Sequence, residues 1–169
     1  SAIGAHVSAV PNHQVGRITP LDFRGNVAMS GNFGYELNLT KFTDDEKETV
    51  KRQVAAYKQI RGLVQQGDLY RLKSPFEGNE SAWMFVSEDQ EDALVYAFQV
   101  MAVPNAPQRT LRLDGLDPEL EYEVEPGTGG EISVFGGDRL MQLGLPLAYE
   151  HKDYQSRWFR LRALKPGKA

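Results

Sequence analysis

An α+β chain in two parts is what the sequence predicts: the last β/α units of a (β/α)8 TIM barrel over residues 1–66, then a C-terminal antiparallel β-sandwich domain over residues 67–169. Two observations carry that prediction. Up to Gly67 the pattern is strand, helix, strand, long helix, whereas beyond it the hydrophobic period falls to two and only short strands recur.

Taken in order, the small apolar residues around His6 (Ile3, Ala5, Val7, Val10) read as one buried strand within residues 1–10, ending at Pro11-Asn12-His13. Pro20 to Met29 reads as a short helix with Thr19 as N-cap and Pro20 at the first helical position. Asn32-Phe33-Gly34-Tyr35-Glu36-Leu37 alternates as a second strand does. Thr43-Asp44-Asp45-Glu46 is a capping box and starts a long helix. Behind it Val50, Val54, Tyr57, Ile60 and Val64 form one apolar stripe, while Lys47, Glu48, Lys51, Arg52 and Lys58 face water. Gly67 ends it.

After Gly67 the strand-like runs are Leu69–Leu72, Ala82–Val86, Ala93–Val100, Thr110–Leu113, Leu120–Val124, Ile132–Phe135 and Arg157–Leu164. Gly136-Gly137-Asp138 opens one helical turn, with Asp138 as its cap and Gly144 beyond its end. Pro126 to Gly130 reads as a hairpin connection, and Glu88 to Asp92 as a solvated turn between strands.

Composition narrows the function classes. The 169 residues carry a net charge of -4 with both signs interleaved, so no basic stripe invites nucleic acid. No apolar run approaches the ~20 residues of a membrane span, so no membrane partner is expected. The absence of cysteine removes thiolate chemistry and disulfides and fits a cytoplasmic location. The opening lacks a Met, and the first forty residues form no complete amphipathic helix or hairpin, which predicts a cut through a larger fold. Two barrel units cannot close a sheet. Exposed apolar surface is therefore expected on the Ile3–Val10 and Phe33–Leu37 strands and on the inward stripe of the 44–66 helix, with oligomerisation, poor solubility or local disorder following.

Glu77 and Glu80 are a close carboxylate pair in a loop of Gly, Asn and Pro. Glycosidic chemistry needs two carboxyls facing each other roughly 5–10 Å apart, which residues three apart in one loop rarely do, so the pair reads as a turn or interface element. His6 and His13, with Ser8 and Asn12 between them, read either as hydroxyl-binding groups at the mouth of a barrel strand or as histidines hydrogen-bonded inside a packed loop; spacing alone does not separate the two. They match no zinc spacing, since a third ligand such as Glu36 or His151 would have to arrive from elsewhere. Trp83, Phe85, Tyr96 and Phe98 alternate as core aromatics do, a sugar-stacking platform being the other reading.

The stretch from Gly4 to Arg17, followed by Thr19-Pro20-Leu21 and Arg24-Gly25, resembles the segment after the acid/base strand of glycoside hydrolase family thirty-six α-galactosidases. The resemblance continues through Gly31–Leu37, Tyr70-Arg71-Leu72, Ser74–Glu77, Ala82–Val86, Leu111–Leu116, Gly136-Gly137-Asp138 and Ser156-Arg157. It implies a parent enzyme with an N-terminal β-domain, a central barrel and a C-terminal β-domain, which hydrolyses terminal α-linked galactose, as in melibiose and raffinose, with retention and without metal or organic cofactor. It also implies that the Lys-x-Asp-x-Asn nucleophile and Ser-Asp-x-x-Asp acid/base patterns, neither of which occurs in these residues, lie upstream. On this resemblance His6, Ser8, Asn12 and His13 support the sugar pocket, and the chain's partners are α-galactosides bound through the intact enzyme, the rest of the barrel and further copies in a homo-oligomer. The alternative is a stand-alone β-sandwich module that binds carbohydrate or oligomerises.

Overall fold

The computed structural model describes residues 4–164. Ile3, assigned above to the first strand, lies outside them. The chain divides into two compact units, residues 1–65 and 66–169.

The first unit alternates strand and helix: β1 (Gly4–Ser8), α1 (Leu21–Ala28), β2 (Asn32–Glu36) and α2 (Asp44–Gln66). β1 and β2 are parallel neighbours, with His6 opposite Gly34 and Ser8 opposite Glu36. Period-two alternation sorts their side chains cleanly. Ala5, Val7, Phe33 and Tyr35 share the face covered by the helices: Val7 is fully buried, the Phe33 ring lies 5.1 Å from Tyr57 of α2, and the Tyr35 hydroxyl donates to Gln53 Oε1 at 2.6 Å. His6, Ser8, Gly34 and Glu36 occupy the other face. Within the strands the apolar positions lie on the helix-covered face, while Val10, in the stretch where exposed apolar surface was expected, is 38% exposed.

Gln53 takes a place in the α2 core stripe that the sequence pattern gave only to apolar residues. It is 6% exposed, yet both ends of its amide are satisfied, since Nε2 also donates to the Leu21 carbonyl at 3.2 Å. Gly25 makes room for it: a Cβ there would fall 2.2 Å from Gln53 Nε2. The capping box forms as expected, Glu46 N–H donating to Thr43 Oγ1 at 3.2 Å and Thr43 N–H to Glu46 Oε2 at 2.8 Å. The Thr19 cap does not. Pro20 itself is the N-cap, with φ -56 and an extended ψ of 148, so the first helical residue is Leu21.

In the second unit, β3 (Asp68–Lys73), β4 (Glu80–Val86), β5 (Asp92–Gln99), β7 (Glu121–Pro126), β8 (Ser133–Gly136) and β10 (Gln155–Ala163) form one antiparallel sheet in the order β3-β4-β5-β10-β7-β8. A separate pair, β6 (Arg109–Leu111) and β9 (Leu145–Leu147), lies with helix α3 (Gly137–Gln142) over one face of it. Ala82, Met84, Val95, Tyr122, Val124 and Leu161 from the large sheet meet Leu111, Leu140 and Leu145 in a single core. The other face carries aromatic rings in cross-strand contact, Trp83 stacking on Phe98 at 4.7 Å and Tyr96 on Trp158 at 6.4 Å. Phe85, Tyr96 and Phe98 are buried, so they are not an exposed sugar platform.

Two details depart from the sequence expectations. β9 passed unnoticed because Pro146 interrupts a run of three residues; its position opposite Thr110 on a two-stranded edge is one where a proline is tolerated. Helix α3 begins at Gly137 with Gly136 as N-cap, two residues before the Asp138 cap foreseen. Gly137 is wedged against the preceding loop, where a Cβ would lie 2.0 Å from the Asp117 carbonyl oxygen. Gly144 ends the helix at φ +91, a conformation glycine adopts without strain.

Candidate functional site

The polar face of β1 and β2 leads at its C-terminal end into a cleft of about 240 Å³ lined by His6, Ser8, Asn12, Arg17, Thr19 and Arg24 among others. Its outer wall is the loop between β1 and α1. Asn12 folds that loop upon itself: its Oδ1 accepts the N–H groups of Gln14 at 3.0 Å and Val15 at 3.1 Å, while Asn12 N–H donates to the Arg17 carbonyl at 2.9 Å. Arg24 clasps the two ends of the loop together, its Nη1 donating to the Ser8 carbonyl at 2.5 Å and its Nε to the Thr19 carbonyl at 3.0 Å. A guanidinium suits this position because its planar fork holds two acceptors at fixed separation. Burial holds the Arg24 pKa below its ordinary value, with Glu46 acting the other way.

Three of the four candidate residues, His6, Ser8 and Asn12, therefore come together; His13 is exposed on the same loop and does not line the cleft. His6 Nε2 sits 2.8 Å from Glu36 Oε2, a partner that fixes its ring orientation at the strand end. Both side chains are well exposed, 50% and 75%, so the pair orients more than it stabilises. Arg24 was missed by sequence reasoning; its one signal was to be the sole basic residue of this short helix. Chemically the cleft offers N–H and O–H donors and an imidazole, a set suited to sugar hydroxyls. It holds no pair of facing carboxylates.

Glu77 and Glu80 do not supply that pair. Glu77 is exposed in the β3–β4 turn, whereas Glu80 is held between Lys73 at 2.5 Å and Arg109 at 2.5 Å in the second unit.

Two phenols are strongly perturbed. Burial pushes Tyr35 up to about 12, with Arg24 opposing; burial, and then the Glu80 charge, pushes Tyr149 up to about 12. The unfolded chain ionises these groups near 10. It therefore loses protons first, so their contribution to stability is complete below pH ~10 and is lost as pH rises towards ~12. In a spectrophotometric titration, the phenolates of Tyr35 and Tyr149 are expected to appear last, together with loss of structure. A single step for all tyrosines near pH 10 in the folded chain would contradict the assignment.

Comparison with known proteins places this geometry. Residues 80–161 match the model of the glycosyl hydrolase family 36 C-terminal domain, and residues 1–67 match the melibiase model. The chain belongs to glycosyl hydrolase family 36. Among family 36 relatives, it is 59% identical over 165 residues to alpha-galactosidase AgaA of Geobacillus stearothermophilus, covering 98% of this chain and 22% of that protein. It is 42% identical over 165 residues to alpha-galactosidase Mel36A of Lactobacillus acidophilus, covering 97% of this chain and 22% of that protein. The crystal structure of an AgaA variant in complex with raffinose superposes with a TM-score of 0.89 at 58% identity, covering 95% of this chain and 22% of that one. This chain thus spans about a fifth of the length of the relatives it matches.

Proposed function

We propose that this chain is the C-terminal portion of a retaining α-galactosidase. Residues 1–66 supply the last β/α units of its (β/α)8 catalytic barrel, and residues 67–169 form its C-terminal β-sandwich domain. The observation that carries this reading is the sidedness of β1 and β2: parallel strands with helices on one face and His6, Ser8 and Glu36 on the other. Barrel strands have that arrangement, and barrel enzymes place their chemistry at the C-terminal strand ends, where the cleft lies.

In the whole enzyme one aspartate attacks the anomeric carbon of a terminal α-linked galactose, and a second protonates the leaving oxygen and then activates water. Both aspartates come from the part of the barrel preceding Ser1. Ser8, Asn12 and the His6–Glu36 pair border the sugar pocket from this side, with His13 on the loop above it, and Arg24 keeps that loop closed. The wider reading is a cytoplasmic enzyme acting on raffinose-type sugars as a homo-oligomer.

The test is release of p-nitrophenol from p-nitrophenyl-α-galactoside, measured for this chain and for the longer polypeptide that continues it at the N-terminus. Turnover by the longer protein alone is the expected result. Turnover by these residues alone, surviving further purification, would place a catalytic carboxylate inside them and overturn the reading.

A further inference from the structure

The second unit contains a cleft that the barrel chemistry does not use. It measures about 230 Å³ and lies between the loop after β5 and the turn before β10, with Gln99, Arg109, Tyr149 and Glu150 as its main polar lining and Val103, Pro107 and Leu147 among its apolar walls. A row of polar residues sits beneath it at one end of an otherwise apolar sheet: Gln99 of β5 stands opposite Glu80 of β4 and opposite Gln155 of β10.

Two of these residues are structural. Gln155 grips the 150–152 turn, donating to the Lys152 carbonyl at 2.8 Å and accepting the Glu150 N–H at 2.6 Å. Glu80 holds Arg109 in place at 2.5 Å. Gln99 is different. It is only 2% exposed, and its Oε1 accepts from Arg109 Nη1, which fixes the amide orientation. Its Nε2 donates to no described residue, although it belongs to a side chain lining the cleft. The Tyr149 hydroxyl and the remaining Arg109 N–H groups likewise meet no hydrogen-bond partner among the described residues. These donors border the cleft, where a ligand oxygen can take the place of water.

We propose that this cleft is a second carbohydrate site, which binds one neutral sugar ring through the amide of Gln99, the guanidinium of Arg109 and the hydroxyl of Tyr149. Size favours a single ring, because the volume falls below the ~300–1,000 Å³ of sites for larger ligands. Charge favours a neutral one: Arg109 is already matched by Glu80, and Glu150 on the lining by Lys152 at 2.6 Å. Bidentate planar donors beside an apolar wall are what a pyranose, polar at its rim and apolar on its faces, requires. The inference does not depend on the barrel residues or on hydrolysis.

The test is titration of the full chain with D-galactose, D-glucose and, separately, inorganic phosphate, followed by saturation-transfer NMR and calorimetry. A sugar is expected to bind with Kd on the order of 1 mM. Gln99→Leu should weaken it about tenfold or more, and Tyr149→Phe, which removes one oxygen and leaves the packing intact, several-fold without change in Tm. If Gln99→Leu fails to fold, Tyr149→Phe decides. Absence of sugar binding, equal binding by both variants, or binding of phosphate alone would each overturn the proposal, the last marking an anion site.

Discussion

Leu161→Ala is expected to lower the stability of the sheet unit by about 3 kcal/mol, within the range of buried large-to-small substitutions. Leu161 is fully buried on β10, a strand paired on both sides, and its cross-strand neighbours are Ala93 and Val124. Neither is long enough to move into the space left behind, so most of the cavity should persist and add to the lost transfer energy. Both tryptophans of the chain lie on this sheet, Trp83 in β4 and Trp158 in β10. Urea unfolding followed by their fluorescence therefore reports on this unit whatever the barrel segment does. Leu143→Ala is the control: at 67% exposure it should change stability by no more than about 0.5 kcal/mol. Equal midpoints for the two variants would mean that the Leu161 site collapses or is not the centre of the core.

What the sequence made legible follows the range of the interactions involved. Signals confined to one turn of chain read correctly: the Thr43/Glu46 capping box, the 3.6-residue stripe of α2 and the period-two runs of β4, β5 and β10. The observed N-caps, Pro20 and Gly136, fall one residue after Thr19 and two residues before Asp138, so local propensity misplaced both boundaries. Gln53 could not be foreseen as a core residue, because its acceptor and donor partners, Leu21 and Tyr35, lie in other elements. The same holds for the sites. His6, Ser8 and Asn12 are close in sequence and were found as a group, while Glu36 reaches them through the parallel β1–β2 pairing and Arg24 from helix α1. In the second unit Glu80 was singled out, but its partners Lys73, Arg109 and Gln99 were not, since they come to it from β3, the start of β6 and β5.

That polar row yields the other large expected effect. Glu80→Ala should cost about 3 kcal/mol, the lower end for removing one partner of a buried ion pair, since the Lys73 side is 39% exposed and partly rescued by water. The Arg109 end drives the loss: its side chain is only 16% exposed, and without Glu80 its charge keeps only the Gln99 oxygen as an acceptor among the described residues. Glu80→Gln should recover part of the stability, because it retains an acceptor and the shape while removing the charge. The pair can be told apart from simple loss of packing by a second measurement. The Glu80 charge is one of the causes that hold the Tyr149 phenol up at about 12, after burial. In both variants that phenol should therefore ionise at lower pH than in the parent chain, whereas a packing defect remote from Tyr149 would leave it where it is. A destabilised Glu80→Ala with an unmoved Tyr149 would show that the carboxylate acts by filling space. An undiminished stability would show that Lys73 and Arg109 find solvent as readily as they find Glu80.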